Sequence, residues 1–408
     1  MHTLPQKKRW VGFDLDHTLI SYHLPPLLSM IDRGYRDYLT TVVPELHICS
    51  QQILSGETFI NVPVDLGFFR RGVVLDFQTG DLLFLKTDGA ISTAFHGRRL
   101  LTSSEIEAKY PCGVWTHHNE LERGKPSANY FVFSEFFTLG VLFGSLLLIE
   151  IVDGAVCPQL TEYTAIEKFN LAFFQHSFDW RNFSSDSGNF FPHIKKDVKK
   201  YVKLRPDVLQ MIANIRDRGI GVFLCTNSHF DYAHFLMNAL VNSSEEKGAE
   251  SPMKCELSDF GWIKHFDCTF VYARKPHFFH DLKNPTSSLN ISRDLGTKVL
   301  SDAISSEKTA DHDATGSEVF VGGNASYIEN VTSGTPIYIG DHLLTDFAAS
   351  HAIGWQGVAV IEDDQHCNIE LGKHFPCLLS QASYWKDRVL RSSNYLLSDV
   401  LEIPSIDM

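Results

Sequence analysis

Three absences narrow the reading of this chain before any motif is considered. Its eight cysteines include no C-x-x-C pair, which excludes the common zinc and thioredoxin-like spacings and offers no disulfide frame. Scattered thiols of this kind point to a reducing compartment, and the expected location is cytoplasmic. Positive charge is also short: 36 Lys and Arg stand against 49 Asp and Glu, a formal net charge of −13. Such a chain is a poor general binder of nucleic-acid backbone, so a polyanionic ligand must meet a local basic pocket. The third absence is a long apolar run. The strongest candidate, residues 136–149, has fourteen residues between Glu135 and Glu150, whereas a membrane span needs about 20. It reads as a buried core helix, and no membrane association is expected. Lys7, Lys8 and Arg9 precede Asp14 too closely for a signal-peptide apolar region to develop between them.

What is present is an ordinary globular composition of 408 residues, 44% hydrophobic and 12% aromatic, enough for two or three domains of about 150 residues. The apolar run 10–13 leads directly into Asp14-Leu15-Asp16-His17-Thr18. Alternation along an extended strand puts positions 14, 16 and 18 on one side. Two carboxylates and a hydroxyl at the C-terminal tip of a buried strand make a hard-oxygen site, suited to magnesium and a phosphate ester.

After residue 20 a long insertion interrupts the pattern to about residue 200. Within it, segments 73–77, 81–85 and 90–94 are short strands punctuated by Gly80 and Gly89, so an antiparallel meander is expected there. Residues 130–180 read as helical. The core then resumes: Pro206 opens a helix carrying Val208, Leu209, Ile212 and Ile215, and Gly219 closes it. Continuous apolar strands follow at 221–225, 268–272, 336–339 and 357–361. Strands alternating with helices predict a parallel sheet covered on both faces. Residues 284–318 are rich in Ser, Thr, Asp, Asn and Gly and read as a mobile polar excursion.

Four strand tips carry chemistry. Beside Asp14, Asp16 and Thr18 at the first stand Thr226-Asn227-Ser228, Ala273-Arg274-Lys275-Pro276, and Gly340-Asp341-His342 with Asp346 shortly after. Together they supply a carboxylate nucleophile, a second acid to move protons, a hydroxyl and a lysine for phosphoryl oxygens, and acids for a cation. His17 and His342 flank the acids and read as packing groups.

This set resembles the haloacid dehalogenase superfamily, whose four motifs occur in this order on a Rossmann-like core. More narrowly, it is similar to the cytosolic purine 5'-nucleotidase family, through G-F-D-L-D-H-T-L (12–19), T-N-S (226–228), A-R-K-P-H-F-F (273–279) and Y-I-G-D-H-L-L-T-D (338–346). R-G-V-V-L-D-F-Q-T-G-D-L-L (71–83) and V-G-G-N (321–324) extend the resemblance over most of the chain. It implies a catalytic core from 1–20 and 201–408, with a substrate-selecting cap at 21–200. It also implies an aspartyl-phosphate mechanism with Asp14 as nucleophile and Asp16 as general acid and base. Thr226 and Asn227 would hold phosphoryl oxygens, and Lys275 would neutralise charge between phosphate and Asp14. Magnesium would be held by Asp14, the Asp16 main-chain carbonyl and Asp341, with Asp346 behind them. The implied substrate is a phosphorylated small molecule of the nucleoside monophosphate kind, and apolar surface on a large cap would suit self-assembly.

The resemblance thins in the insertion. The purine enzymes stack an aromatic on the base and contact it with an Arg, an Asp and a His. Phe131 is the stacking candidate here; with His176 aligned to the histidine, Phe169 and Phe173 occupy the other two places. Two lost polar contacts would remove most hydrogen-bonded base discrimination. A phosphatase for another metabolite, or a weakly active binding protein on the same fold, therefore stays open at the level of sequence.

Overall fold

A computed structural model describes residues 8–124, 127–245, 260–281, 286–288, 318–362, 371–376 and 382–405. The chain divides into two compact units, Met1–Tyr22 with Val202–Glu362 and Val389–Met408, and His23–Tyr201 with Asp363–Arg388.

The first unit is built on one sheet. Its strands are β1 (Trp10–Phe13), β2 (Gly221–Cys225), β3 (Cys268–Val271), β4 (Thr286–Ser288), β5 (Glu318–Gly322), β6 (Ile337–Gly340), β7 (Gln356–Val360) and β8 (Tyr395–Leu397). They lie in the order β4-β5-β3-β2-β1-β6-β7-β8, all parallel except β4. The predicted Rossmann-like α/β sheet is thus present. Strand order runs outward from β1 in one direction through β2, β3 and β5, then restarts at β6 on the other side of β1. That reversal is the topological switch point at which open α/β sheets bind their ligands. Three strands were not anticipated. β5 borders the polar stretch that hides it, and β4 and β8 are only three residues long. The rest of the 284–318 excursion, apart from β4 and Glu318, lies outside the described residues.

Aromatic rings fill one face of this sheet. Phe223 lies with its ring centroid 6.1–6.3 Å from those of Trp10, Phe270, Tyr338 and Trp355, and all of these are buried. The middle of β1 must leave room for it: a Cβ on Gly12 would come within 2.1 Å of the Phe223 ring. Glycine at 12 is therefore a close-approach position. The helix Asp207–Asp217 buries Val208, Leu209, Ile212 and Ile215, as the spacing predicts, and Gly219 follows it with φ +78°.

The second unit holds the expected meander as a five-stranded antiparallel sheet. Its order is Arg99–Leu100, Ile91–His96, Asp81–Leu85, Val74–Asp76 and Tyr130–Val132. The last strand corrects the helical reading of 130–180. Tyr130, Phe131 and Val132 have the β-branched and aromatic character that suits an extended edge, and residues 74–76 supply the pairing partner. The apolar segment forms two helices, Phe136–Leu139 and Leu142–Asp153. By length and composition residues 136–153 match a membrane span, but every residue from 139 to 149 is buried within the unit.

A charged cluster ties this sheet to a neighbouring helix. Buried Asp81 accepts from His96 Nδ1 at 2.6 Å, Lys109 Nζ at 3.0 Å and Tyr110 Oη at 2.9 Å, while His96 Nε2 reaches Asp153 at 2.9 Å. The Asp81 bond raises the His96 pKa, with help from the Asp153 charge. Burial alone would raise the Asp81 carboxyl, but its three donors more than offset this and lower it. The stabilisation from His96 is therefore complete below its ordinary value of 6.5 and is lost as pH rises through the raised folded value. That from Asp81 is present above its ordinary range and is lost only as pH falls through the lowered value. Thermal melts of the wild type should show stability falling as pH climbs above about 6.5. His96→Gln should melt lower at about pH 6 and lose that part of the pH dependence; an unchanged profile would remove this role.

Candidate active site

Four C-terminal strand ends of the first unit converge at the switch point. Asp14 and Asp16 follow β1; the Asp14 amide donates to Ile339 O of β6 at 2.8 Å, so the first carboxylate is fixed against the neighbouring strand. Thr226, Asn227 and Ser228 follow β2, Lys275 follows β3, and Asp341 and Asp346 follow β6. Three non-glycine residues at these tips, His17, Tyr272 and Arg274, have φ of 56°, 46° and 56°. Left-handed backbone of this kind costs about 1–2 kcal/mol per residue, and its clustering here is typical of functional sites.

Lys275 is the hub. Its ammonium, 2% exposed, meets Asp14 Oδ1 at 2.8 Å and Asp346 Oδ1 at 2.6 Å, and donates to Tyr338 Oη at 2.9 Å. Tyr338 in turn donates to Cys225 O at 2.6 Å. Asn227, which is exposed, fixes the lysine's backbone: its Oδ1 accepts from Lys275 N at 2.6 Å and its Nδ2 donates to Lys275 O at 3.1 Å. Burial alone would favour a neutral amine, but Asp14 and Asp346 outweigh it and raise the Lys275 pKa. Asp14 is pushed up to about 8 by burial, with Lys275 opposing and Asp346 adding to the rise.

Asp14, Asp341 and Asp346 each place a carboxylate oxygen within 4.8 Å of the others, all buried. Three hard oxygen donors facing a single ammonium fit a divalent cation such as magnesium or manganese by their chemistry. Asp346 already uses both oxygens, one on Lys275 and the other accepting from His342 N at 3.0 Å, which suits support behind the cation better than direct ligation. His342 caps the turn Leu343–Phe347, its Nδ1 accepting from the amides of Leu344 and Thr345. The His17 ring lies 4.6 Å from that of Tyr22. Among the described residues neither histidine belongs to the acid cluster.

Asp16 is held from two sides. Its Oδ1 accepts from Tyr22 Oη at 2.5 Å and its Oδ2 from Ser228 Oγ at 2.6 Å. Burial raises its pKa, and the two hydroxyls act against the rise. Thr226 is buried, with its Oγ1 accepting from Ser228 N at 3.0 Å. Thr18 is buried at the same tip. Sequence reasoning missed Tyr22 and Tyr338, and placed Ser228 at a reactive tip without giving it a role. Ser228 sits two positions beyond Thr226, a period-2 signal that was available; Tyr22 and Tyr338 left none.

Phe131 belongs to the second unit, in the strand Tyr130–Val132, where its ring lies edge-on to Phe133 at 5.0 Å and 6.4 Å from Phe174. Phe173 is a core residue against Tyr35 and Tyr38, and His176 stacks on Tyr38 at 5.1 Å.

A parallel sheet with paired acids at its switch point, a lysine buried between carboxylates and a third acid across the switch defines a Rossmann-like α/β protein and is consistent with a haloacid dehalogenase core. The chain belongs to the 5' nucleotidase family, whose model matches residues 6–373, and this makes it a phosphoric monoester hydrolase. It is similar to 5'-nucleotidase domain-containing protein 1 of Homo sapiens and of Bos taurus. Identity is 26% in both, over 86% of this chain and 71% and 72% of theirs.

Gly340 tests the geometry without touching the acids. A Cβ there would lie 2.4 Å from Asp346 Oδ2, forcing that carboxylate off the His342 amide and Lys275. Gly340→Ala should lower stability by about 1–3 kcal/mol in urea unfolding; a neutral result would mean that the Asp346 carboxylate is not confined by Gly340.

Proposed function

We propose that the chain is a magnesium-dependent phosphomonoesterase acting on 5'-nucleotides through an aspartyl-phosphate on Asp14. The observation that carries this reading is the buried ammonium of Lys275 joining Asp14 to Asp346, with Asp16 beside them under two hydroxyls. An Asp14 oxygen forms a bond to phosphorus as the ester oxygen departs, and Asp16 gives that oxygen its proton. Asp16, now ionised, takes a proton from the incoming water, whose oxygen displaces Asp14 from phosphorus and releases phosphate. Lys275, Thr226 and the Asn227 amide serve the phosphoryl oxygens; Lys275 faces charge that grows as the bond forms. Magnesium would be held by Asp14, the Asp16 main-chain carbonyl and Asp341, with Asp346 in support, and would supply neutralisation of phosphoryl charge.

The second unit is assigned the choice of leaving group. Phe131, paired with Phe174, offers an aromatic surface suited to stacking on a base. Phe173 is committed to the core, which supports a reading for 5'-nucleotides that does not rest on the Arg–Asp–His base contacts of purine enzymes. Cys49, Cys112, Cys157, Cys225 and Cys268 are free thiols, which supports a reducing, cytoplasmic setting.

Phosphate release from a panel of nucleoside monophosphates and sugar phosphates, with magnesium and with chelator, is the direct test. Activity should vanish with chelator and in Asp14→Asn, with the circular dichroism spectrum unchanged; retained turnover in Asp14→Asn would assign the nucleophile elsewhere. Cation binding can be read without activity. Magnesium should raise the melting temperature as the logarithm of its concentration, reaching about 2.7 kcal/mol at a hundredfold excess over Kd. Asp341→Asn should abolish that shift.

A further inference from the structure

The hydroxyl of Tyr22 is not accounted for by the chemistry assigned to Asp14, Lys275 and the cation. It is buried, donates to Asp16 Oδ1 at 2.5 Å, and shares a second hydrogen bond of 3.0 Å with the Tyr232 hydroxyl. Ser228 takes the other oxygen of the same carboxylate. A carboxyl group held at both oxygens, by donors from two different chain segments, has lost rotation about its own bond as well as about the side chain. Such a group is held in one orientation, and a fixed orientation of the acid is the condition under which general acid catalysis is efficient.

Tyr22 is itself firmly placed. With Ser21 it forms a two-residue strand paired antiparallel to Val202–Lys203, and Ser21 Oγ donates to buried Glu362 Oε1 at 2.6 Å. Residues 22, 202 and 362 are three of the four points at which the chain leaves or re-enters the first unit, the fourth being residue 389. Pairing and hydrogen bonding tie these three crossings together within that unit. The side chain that grips Asp16 therefore stands on a paired strand anchored by a neighbouring hydrogen bond. The groups around Asp16 are Tyr22 from this strand, Ser228 after β2, Lys275 after β3 and Asp14 on its own strand tip, with Tyr232 behind Tyr22.

We propose that Tyr22, backed by Tyr232, is a positioning residue that orients Asp16 to protonate the leaving oxygen. This rests on the phosphatase reading above and extends it to a residue outside the four motif tips. The contribution depends on the leaving group. The 5'-oxygen of a nucleoside departs as a poor leaving group and needs the proton from Asp16; nitrophenolate departs as a stabilised anion and does not. A residue that merely supported the fold would slow both alike.

Single-turnover release of nucleoside from AMP and of nitrophenolate from p-nitrophenyl phosphate, with magnesium present, separates these cases. In Tyr22→Phe the AMP step should fall by about 10- to 100-fold. Nitrophenolate release should fall by less than about 3-fold, with half-saturating concentrations of both substrates held within about 2-fold. Tyr232→Phe, which leaves the Tyr22–Asp16 bond in place, should show the same bias at smaller amplitude; it carries the test if Tyr22→Phe does not fold. Equal losses on both substrates, no loss, or a faster AMP step in both variants would overturn the proposal, the last by showing that Tyr22 restrains the acid. Wild-type protein silent on both substrates would instead overturn the phosphatase reading itself, so the two failures are distinguishable.

Discussion

A lysine ammonium buried between Asp14 and Asp346 organises everything around it. Removing such a charge from water costs several kcal/mol, recovered only when its partners are close and their own remaining oxygens are satisfied. The structure meets that condition in detail. Tyr338 accepts the lysine's third contact and donates its own hydrogen bond to Cys225 O; the His342 amide donates to the second oxygen of Asp346; Asn227 grips the lysine backbone on both sides. Even the bare Cα of Gly340 belongs to this arrangement, because any side chain there would occupy the space of Asp346. Three acids against one base leave a negative excess, and that excess makes the pocket receptive to a cation.

The same economy appears in the backbone. Positive φ at His17, Tyr272 and Arg274 concentrates strain at two of the tips, where it turns the chain sharply enough to bring loops after different strands together. The aromatic face beneath, with Phe223 at its centre and Gly12 left bare to admit its ring, supplies the packing against which such strain is held. Stability in the sheet and reactivity at its edge are thus linked through a few shared positions: Tyr338 packs in the core by its ring and touches Lys275 by its hydroxyl.

Much of this was legible before any coordinates. Continuous apolar runs ending in Asp, Thr, Lys or Asp located four strands and their reactive tips, since a central parallel strand has no polar face to disguise it and its C-terminal end is where ligands bind. Other features resisted. The strand Glu318–Gly322 adjoins a polar stretch, and Tyr395–Leu397 is too short to carry a period. Tyr130–Val132 was read as helix because its neighbours are apolar on several faces, a pattern that does not separate short buried strands from buried helices. Tyr22 was invisible as a functional residue, since its hydroxyl reaches Asp16 only after the chain has turned back on itself.

The sequence by itself determined the reactive groups and their order, because covalent neighbours and strand periodicity dictate which side chains arrive together at a strand tip. It also determined the fold class, through the alternation of apolar strands with amphipathic helices. Only the tertiary structure decided how those groups share charge and protons: which two carboxylates divide one lysine, and which hydroxyls grip Asp16. These depend on contacts between residues as far apart as Asp16 and Ser228, or Lys275 and Asp346, and no local rule of spacing reaches across such separations. Packing brings them within hydrogen-bond distance, and the low dielectric of the interior then makes each contact count.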